Sequence, residues 1–143
     1  MQVSAILQGK GAHVHTIKAG ASVATAAARL QELGIGALVV SDDERRVEGI
    51  LSERDIVHGL AESGNALLDA PVSTIMTAQV LTCRLSDTTQ SVMAHMTDSR
   101  IRHVPVVEGG ELRGMISIGD VVKARLDEIT HEADALREYI TQT

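Results

Sequence analysis

Two heptapeptides in the chain carry the same three residues at the same spacing: Gly49-Ile50-Leu51-Ser52-Glu53-Arg54-Asp55 and Gly114-Met115-Ile116-Ser117-Ile118-Gly119-Asp120. In both, an apolar stretch with strand character meets a helical one at the serine. A serine at a helix start presents its hydroxyl beside backbone N–H groups that have no intrahelical acceptor, which makes a ready anion site. An aspartate one turn on can accept two hydroxyl hydrogens from a ribose. Together the two residues suit a nucleoside phosphate. The same residues also read as an N-cap and a first-turn acid that stabilise the helix and do nothing else.

The elements that must position these groups emerge when the chain is slid along itself. Val3-Ser4-x-Ile6 recurs as Val72-Ser73-x-Ile75 and Val14-x-Thr16 as Val80-x-Thr82, while the two heptapeptides lie 65 residues apart. The repeat is about 66 residues long, with three extra residues in a Gly9-Lys10-Gly11 loop and one in the turn at 42–46 of the first copy. Insertions of this kind belong in loops. Each copy predicts a short strand (14–17; 80–83) and a helix (22–33; 88–99) capped by Ser22 or Thr88. Two short buried strands joined by a polar turn follow (35–40 and 48–51; 101–107 and 112–116), then a helix from Ser52 or Ser117. In the first helix Val23, Ala26, Ala27 and Leu30 recur at helical spacing. Each copy therefore reads βαββα and the class is α/β.

A half of about 70 residues would bury only about 60% of its surface, so the two copies are expected to pack on each other about a pseudo-two-fold axis. The division expected is a first repeat over 1–65, a linker over 66–71, a second repeat over 72–129 and a C-terminal helical extension over 130–143. Val122, Leu126, Ile129, Ala133, Leu136 and Ile140 form a heptad seam in that last helix. The seam either docks on the chain's own core or pairs with a second subunit.

Composition narrows the chemistry. The chain has 143 residues, 44% hydrophobic and 22% charged, with a net charge of −6 divided evenly between its halves, so neither half is a basic platform for nucleic acid. Trp and Phe are absent and Tyr139 is the single aromatic residue, so a flat ligand must be held by aliphatic side chains and base stacking on single strands is disfavoured. No stretch reads as an export signal or a membrane span. The lone Cys83 fits a reducing compartment, with the cytoplasm as the expected location. It aligns with Ile17 of the first copy and reads as a buried apolar residue. His13-x-His15 lacks a third ligand and reads as surface, so no metal site is expected. His95 and His131 fall on solvent-facing helix positions. No P-loop, Gly-x-Gly-x-x-Gly word or catalytic constellation is present.

The duplicated βαββα pattern and the paired Ser-x-x-Asp words resemble the cystathionine-β-synthase (CBS) domain family, as a stand-alone tandem pair. The words that carry the likeness are Ile35-Gly36-Ala37-Leu38-Val39-Val40, the first heptapeptide with Ile56-Val57, Ile101-Arg102-His103-Val104-Pro105-Val106-Val107, and the second heptapeptide. The resemblance implies a regulatory module without catalytic activity that holds adenine nucleotides in two clefts between the copies. It implies that Asp55 and Asp120 hold ribose hydroxyls and that Ser52 and Ser117 sit at the ribose-phosphate end. Adenine would lie against Ile35, Gly36, Ala37 and Ile50 in one site, and against Ile101, Arg102, His103, Pro105 and Met115 in the other. Thr16 and Thr82 resemble positions that approach the ligand. Phosphate needs cations, and the candidates are Arg54, Arg102, His103 and Lys18. Gly119 stands where the first copy has Arg54, so the Asp120 site borrows Arg102, takes a ligand with less phosphate, or stays empty.

The function expected from these residues is a sensor of AMP, ATP or NAD(H), acting through ligand-dependent rearrangement of a homodimer on a regulated protein that the sequence does not name. A nucleotide-independent interaction or dimerisation module, working through the heptad tail, is the alternative.

Overall fold

The computed structural model describes residues 1–142. The first repeat runs β1 (Thr16–Ile17), α2 (Val23–Leu33), β2 (Ala37–Val40), β3 (Gly49–Ser52) and α3 (Glu53–Ser63), preceded by α1 (Val3–Lys10). Helix α2 starts where the Ser22 hydroxyl accepts the Thr25 N–H and stops at Gly34, whose φ of 64° lets the chain turn out of the helix. It buries Val23, Ala26 and Leu30, while Ala27 is only partly covered. Strand β2 is buried throughout and lies between β1, parallel (Thr16↔Val39), and β3, antiparallel (Ala37↔Ser52 to Val40↔Gly49). The β2–β3 turn is held by Asp43, whose Oδ1 accepts from Arg45 N, Arg46 N and Ser41 Oγ. Those bonds hold its pKa below the usual carboxylate range.

The second repeat contains α4 (Thr89–Ser99), β4 (His103–Glu108), β5 (Glu111–Ser117) and α5 (Ile118–Thr141). Its sheet has two strands, because residues 80–83 do not form the expected strand. Only Cys83 bridges β4, donating to Pro105 O and accepting from Val107 N. Just after it the Arg84 N–H turns to the Asp87 carboxylate. Upstream, Thr77 is paired with Ile50 of the first repeat, so the chain is drawn away from β4 before a ladder can form. Strands β4 and β5 are joined through Gly109 and Gly110, both at positive φ.

The two cores exchange their leading segments. Helix α1, expected as no more than a loop around residues 9–11, has Val3, Ile6 and Leu7 on one face and buries them with Val92, Met96, Val104, Ile116 and Val121 of the second repeat. Val72, just past the first repeat in sequence, is buried instead with Val23, Leu30, Leu38 and Leu51. The motif glycines permit this crossing. A Cβ on Gly49 would lie 2.6 Å from Met76 Sδ and 3.0 Å from Thr77 O, and one on Gly114 would lie 2.7 Å from Leu7 Cδ1. The connection itself is two 3₁₀ turns, Gly64–Asp69 and Val72–Thr74, with Leu67 buried.

Helix α5 packs on the second core through Val121 and Ala124, then continues beyond it. Val122, Leu126, Ile129 and Leu136 are 44%, 59%, 47% and 60% exposed, so the seam is not docked on its own core. Among the described residues no helix is long and apolar enough to cross a membrane.

Candidate functional site

The repeats meet where β2 and β4 begin. Gly36 faces His103 so closely that a Cβ on it would sit 3.2 Å from His103 Cε1. The backbone repeats itself here: Gly36 O accepts from Glu53 N in the first copy, as Arg102 O accepts from Ile118 N in the second. Each closing helix is thereby tied to the start of its own hairpin strand.

Beside this junction lies a cleft of about 730 Å³. Gly36, Ala37, Ile50, Ser52, Glu53, Arg54 and Asp55 line it from the first repeat, and Ile101, Arg102 and His103 from the second. Gly36, Ala37 and Ile50, expected in one site, thus line the same cleft as Ile101, Arg102 and His103, expected in the other. Segment 77–81 supplies a further wall through Thr77, Gln79, Val80 and Leu81, because Thr77 exchanges two backbone bonds with Ile50, 2.9 and 3.0 Å long. Arg100 also lines the cleft and was missed by the sequence reading. It caps α4 at φ 54°, where the first repeat has Gly34 at φ 64°. A non-glycine residue at positive φ is uncommon, and its alignment with a helix-ending glycine was the signal available in the sequence.

Ser52 and Asp55 form a reciprocal cap. The Ser52 Oγ accepts the Asp55 N–H at 3.2 Å, and Asp55 Oδ2 accepts from Ser52 N at 2.9 Å and Ser52 Oγ at 3.1 Å. These bonds engage Oδ2 of Asp55, a residue that also lines the cleft.

The second motif is capped alike but has a different neighbour. Ser117 N donates to Asp120 Oδ2 at 2.9 Å, and Lys10 Nζ at the end of α1 donates to the same oxygen at 2.6 Å and to Met115 O at 2.9 Å. Partial burial raises the Asp120 pKa, but the Lys10 and Ser117 hydrogen bonds outweigh it and hold the group below its ordinary value. Sequence reasoning missed Lys10. Its three-residue excess was visible, but its partner depends on α1 crossing to the other repeat. His103 lies among Arg102, Lys10, Asp120 and Glu53, and burial first, then the two cations, lowers its pKa against the pull of the carboxylates.

Other expected site residues lie off the cleft lining. Ile35 packs partly buried on the first core. Thr16 O accepts from Arg29 Nη1. Lys18 is exposed and follows Ile17, which pairs with Val40 at the end of β2 remote from Ala37, so the strand direction carries it away from the cleft. Thr82 is exposed, and Pro105 is buried opposite Met115. Gly119 is exposed in the first turn of α5. Cys83 is buried and its thiol is pushed up to about 12, which keeps it protonated and unreactive. The His13 and His15 rings meet edge to face at 4.8 Å. Among the described residues no group of three or more His, Cys, Asp or Glu is placed to hold a metal.

Comparison with known proteins matches this architecture on sequence and on fold. A CBS-domain-containing protein from Agrobacterium tumefaciens superposes with a TM-score of 0.84 at 46% identity, over 87% of this chain and 99% of that one. A CBS domain protein from Pyrobaculum aerophilum, solved in complex with AMP, superposes with a TM-score of 0.74 at 28% identity, over 84% of this chain and 89% of that one. A mitochondrial CBS domain-containing protein of Arabidopsis thaliana is 36% identical over 110 residues, 74% of this chain and 53% of its own length, so the chain spans about half of that relative. The CBS domain model matches twice, over residues 11–62 and 72–127, each time spanning one Ser-x-x-Asp cap and the hairpin that feeds it. With both halves of the duplicated unit matched, this chain belongs to the CBS domain family as a tandem pair.

Proposed function

We propose that the chain is a regulatory module that binds an adenine nucleotide, of the AMP, ATP or NAD(H) type, in the cleft at Asp55. The observation that carries this reading is the composition of that cleft: two carboxylate-bearing residues (the capping Asp55 and its neighbour Glu53), three guanidinium-bearing residues (Arg54, Arg100 and Arg102), and walls of Ala37, Ile50, Val80 and Ile101. Aliphatic walls suit a purine, Asp55 suits vicinal ribose hydroxyls, and planar guanidinium groups suit phosphate oxygens. The volume lies within the usual range for small-molecule sites, roughly 300–1,000 Å³. The AMP complex of the Pyrobaculum relative supports the same ligand class.

Because both repeats line the cleft, a bound nucleotide touches both and favours whichever arrangement of the pair fits it better. The output is the assembly of a homodimer, with the exposed α5 seam as its contact, and through it a regulated partner. The acidic composition and single buried thiol suit the cytoplasm. The exposed seam also favours the second reading, an interaction module that ignores nucleotides.

Thermal unfolding with AMP, ADP, ATP, NAD, NADH, S-adenosylmethionine and GTP at equal concentration separates the two readings. A nucleotide present at a hundredfold its Kd stabilises the folded chain by about 2.7 kcal/mol. The melting temperature should rise with adenine ligands alone, and the rise should vanish in Asp55→Ala. No rise with any ligand, from protein shown free of co-purified nucleotide, would transfer the function to the seam.

A further inference from the structure

The two Ser-x-x-Asp caps are equivalent in sequence and inequivalent in company. In the first repeat the strand edge at Ile50 is closed by backbone: Ile50 N donates to Thr77 O and Ile50 O accepts from Thr77 N. In the second, the equivalent carbonyl, Met115 O, accepts from the Lys10 ammonium, and the same ammonium reaches on to Asp120 Oδ2. Asp55 Oδ2 is engaged by Ser52 and by no lysine, whereas Asp120 Oδ2 takes a charge-assisted bond from Lys10 besides the Ser117 N–H. The three residues that the first copy has in excess around Gly9-Lys10-Gly11 carry this lysine, and Gly11, at φ 98°, ends α1 directly after it.

We propose that Lys10 is a built-in counter-ion that closes the Asp120 cap to ribose, so that the chain holds a single nucleotide, at Asp55. This inference rests on the nucleotide reading given above. The Lys10 ammonium spans Met115 O and Asp120 Oδ2, so a ribose approaching Asp120 meets a carboxylate whose charge is already paired and a lysine side chain lying between the two acceptors, neither of which it meets at Asp55. The lysine is also anchored at both ends: α1 is fixed by the burial of Val3, Ile6 and Leu7, and the ammonium by Met115 O. Displacing it leaves an ammonium and a half-covered carboxylate to find new partners, whereas Asp55 has no such cost. The absence of an arginine at Gly119 fits this picture, since Lys10 brings its cation to the carboxylate itself instead of to a phosphate beside it.

The test is isothermal titration of the full chain with AMP, with circular dichroism melts confirming that each variant is folded. Wild type should bind one AMP per chain, and Asp55→Asn should weaken that binding at least tenfold. Lys10→Ala should bind two, Lys10→Arg should remain at one, and adding Asp120→Asn to Lys10→Ala should remove the second. Two AMP per wild-type chain, or a Lys10→Ala variant that still binds one or binds it more weakly, would overturn the inference and leave the nucleotide reading intact. No binding by wild type or any variant would overturn the nucleotide reading and this inference with it.

Discussion

Asp55 caps α3 through one carboxylate oxygen and lines the cleft, so its capping role and the proposed ribose role separate by substitution. Asp55→Ala removes the reciprocal cap with Ser52 and should cost about 1 kcal/mol in urea unfolding without nucleotide. Asp55→Asn keeps an acceptor for the Ser52 N–H and should retain most of that stability. Both variants should lose stabilisation by AMP; an Asn variant stabilised like wild type would contradict the ribose role. His103 makes a separate prediction about pH. Its folded pKa is depressed by burial and by Arg102 and Lys10, so below about 6.5 the unfolded chain takes up a proton that the folded chain refuses. Stability is therefore full above that pH and declines as the pH falls toward the folded pKa. His103→Gln should flatten the decline between pH 7 and 5, with the remainder carried by His15, whose pKa is lowered by burial and by His13 and Arg29. Asp120 acts in a lower window: its contribution is present above about pH 3.8 and disappears as the pH falls through its depressed folded value.

At the level of elements, local signals were legible and long-range ones were not. Ser22, Thr88, Ser52 and Ser117 all cap the helices their sequence context predicts, because a cap needs only residues three positions apart. The hairpins 37–52 and 103–117 followed from short apolar runs and a polar turn. What stayed hidden depends on which repeat a leading segment joins. Residues 80–83 have strand composition but are drawn off by Thr77 at Ile50, and Val3, Ile6 and Leu7 have a helical spacing whose partner lies about 100 residues on. Lys10 at Asp120 follows from that crossing, and Arg100 in the cleft from a helix end that departs from glycine. The crossing explains the first residue of each motif. Gly49→Ala places a Cβ against Met76 Sδ and the backbone of Thr77, and because a backbone cannot rotate aside as a side chain can, the variant should lose about 1–3 kcal/mol. It should also bind AMP more weakly, since Thr77 belongs to the cleft wall. Unchanged urea midpoint and affinity would show that the close approach is unimportant.

The whole molecule is two cores that each contain a piece of the other repeat's leader, with a junction at Gly36 and His103 and a long helix extending past one of them. The exchanged leaders make the halves interdependent, so a ligand that spans the junction acts on both. Val122, Leu126, Ile129 and Leu136 of the α5 seam are exposed apolar side chains on one helix. Light scattering should give about twice the 15.2 kDa chain mass, and Ile129→Glu, at an exposed seam position, should reduce it to one chain mass with the fold retained. Equal masses for the two would remove the seam from the assembly. The duplication, the α/β class and most of the Asp55 cleft were readable because they repeat in sequence; the inequivalence of the two caps was not, because it arises from one inserted lysine reaching across the fold. The central claim, an adenine nucleotide held at the Asp55 cap between the repeats, is tested most directly by mapping backbone amide shifts of the protein during titration with AMP. Saturable changes should centre on Gly36, Ile50, Asp55, Gln79, Arg100 and Arg102. Changes confined to α5, or none at millimolar AMP, would contradict that claim.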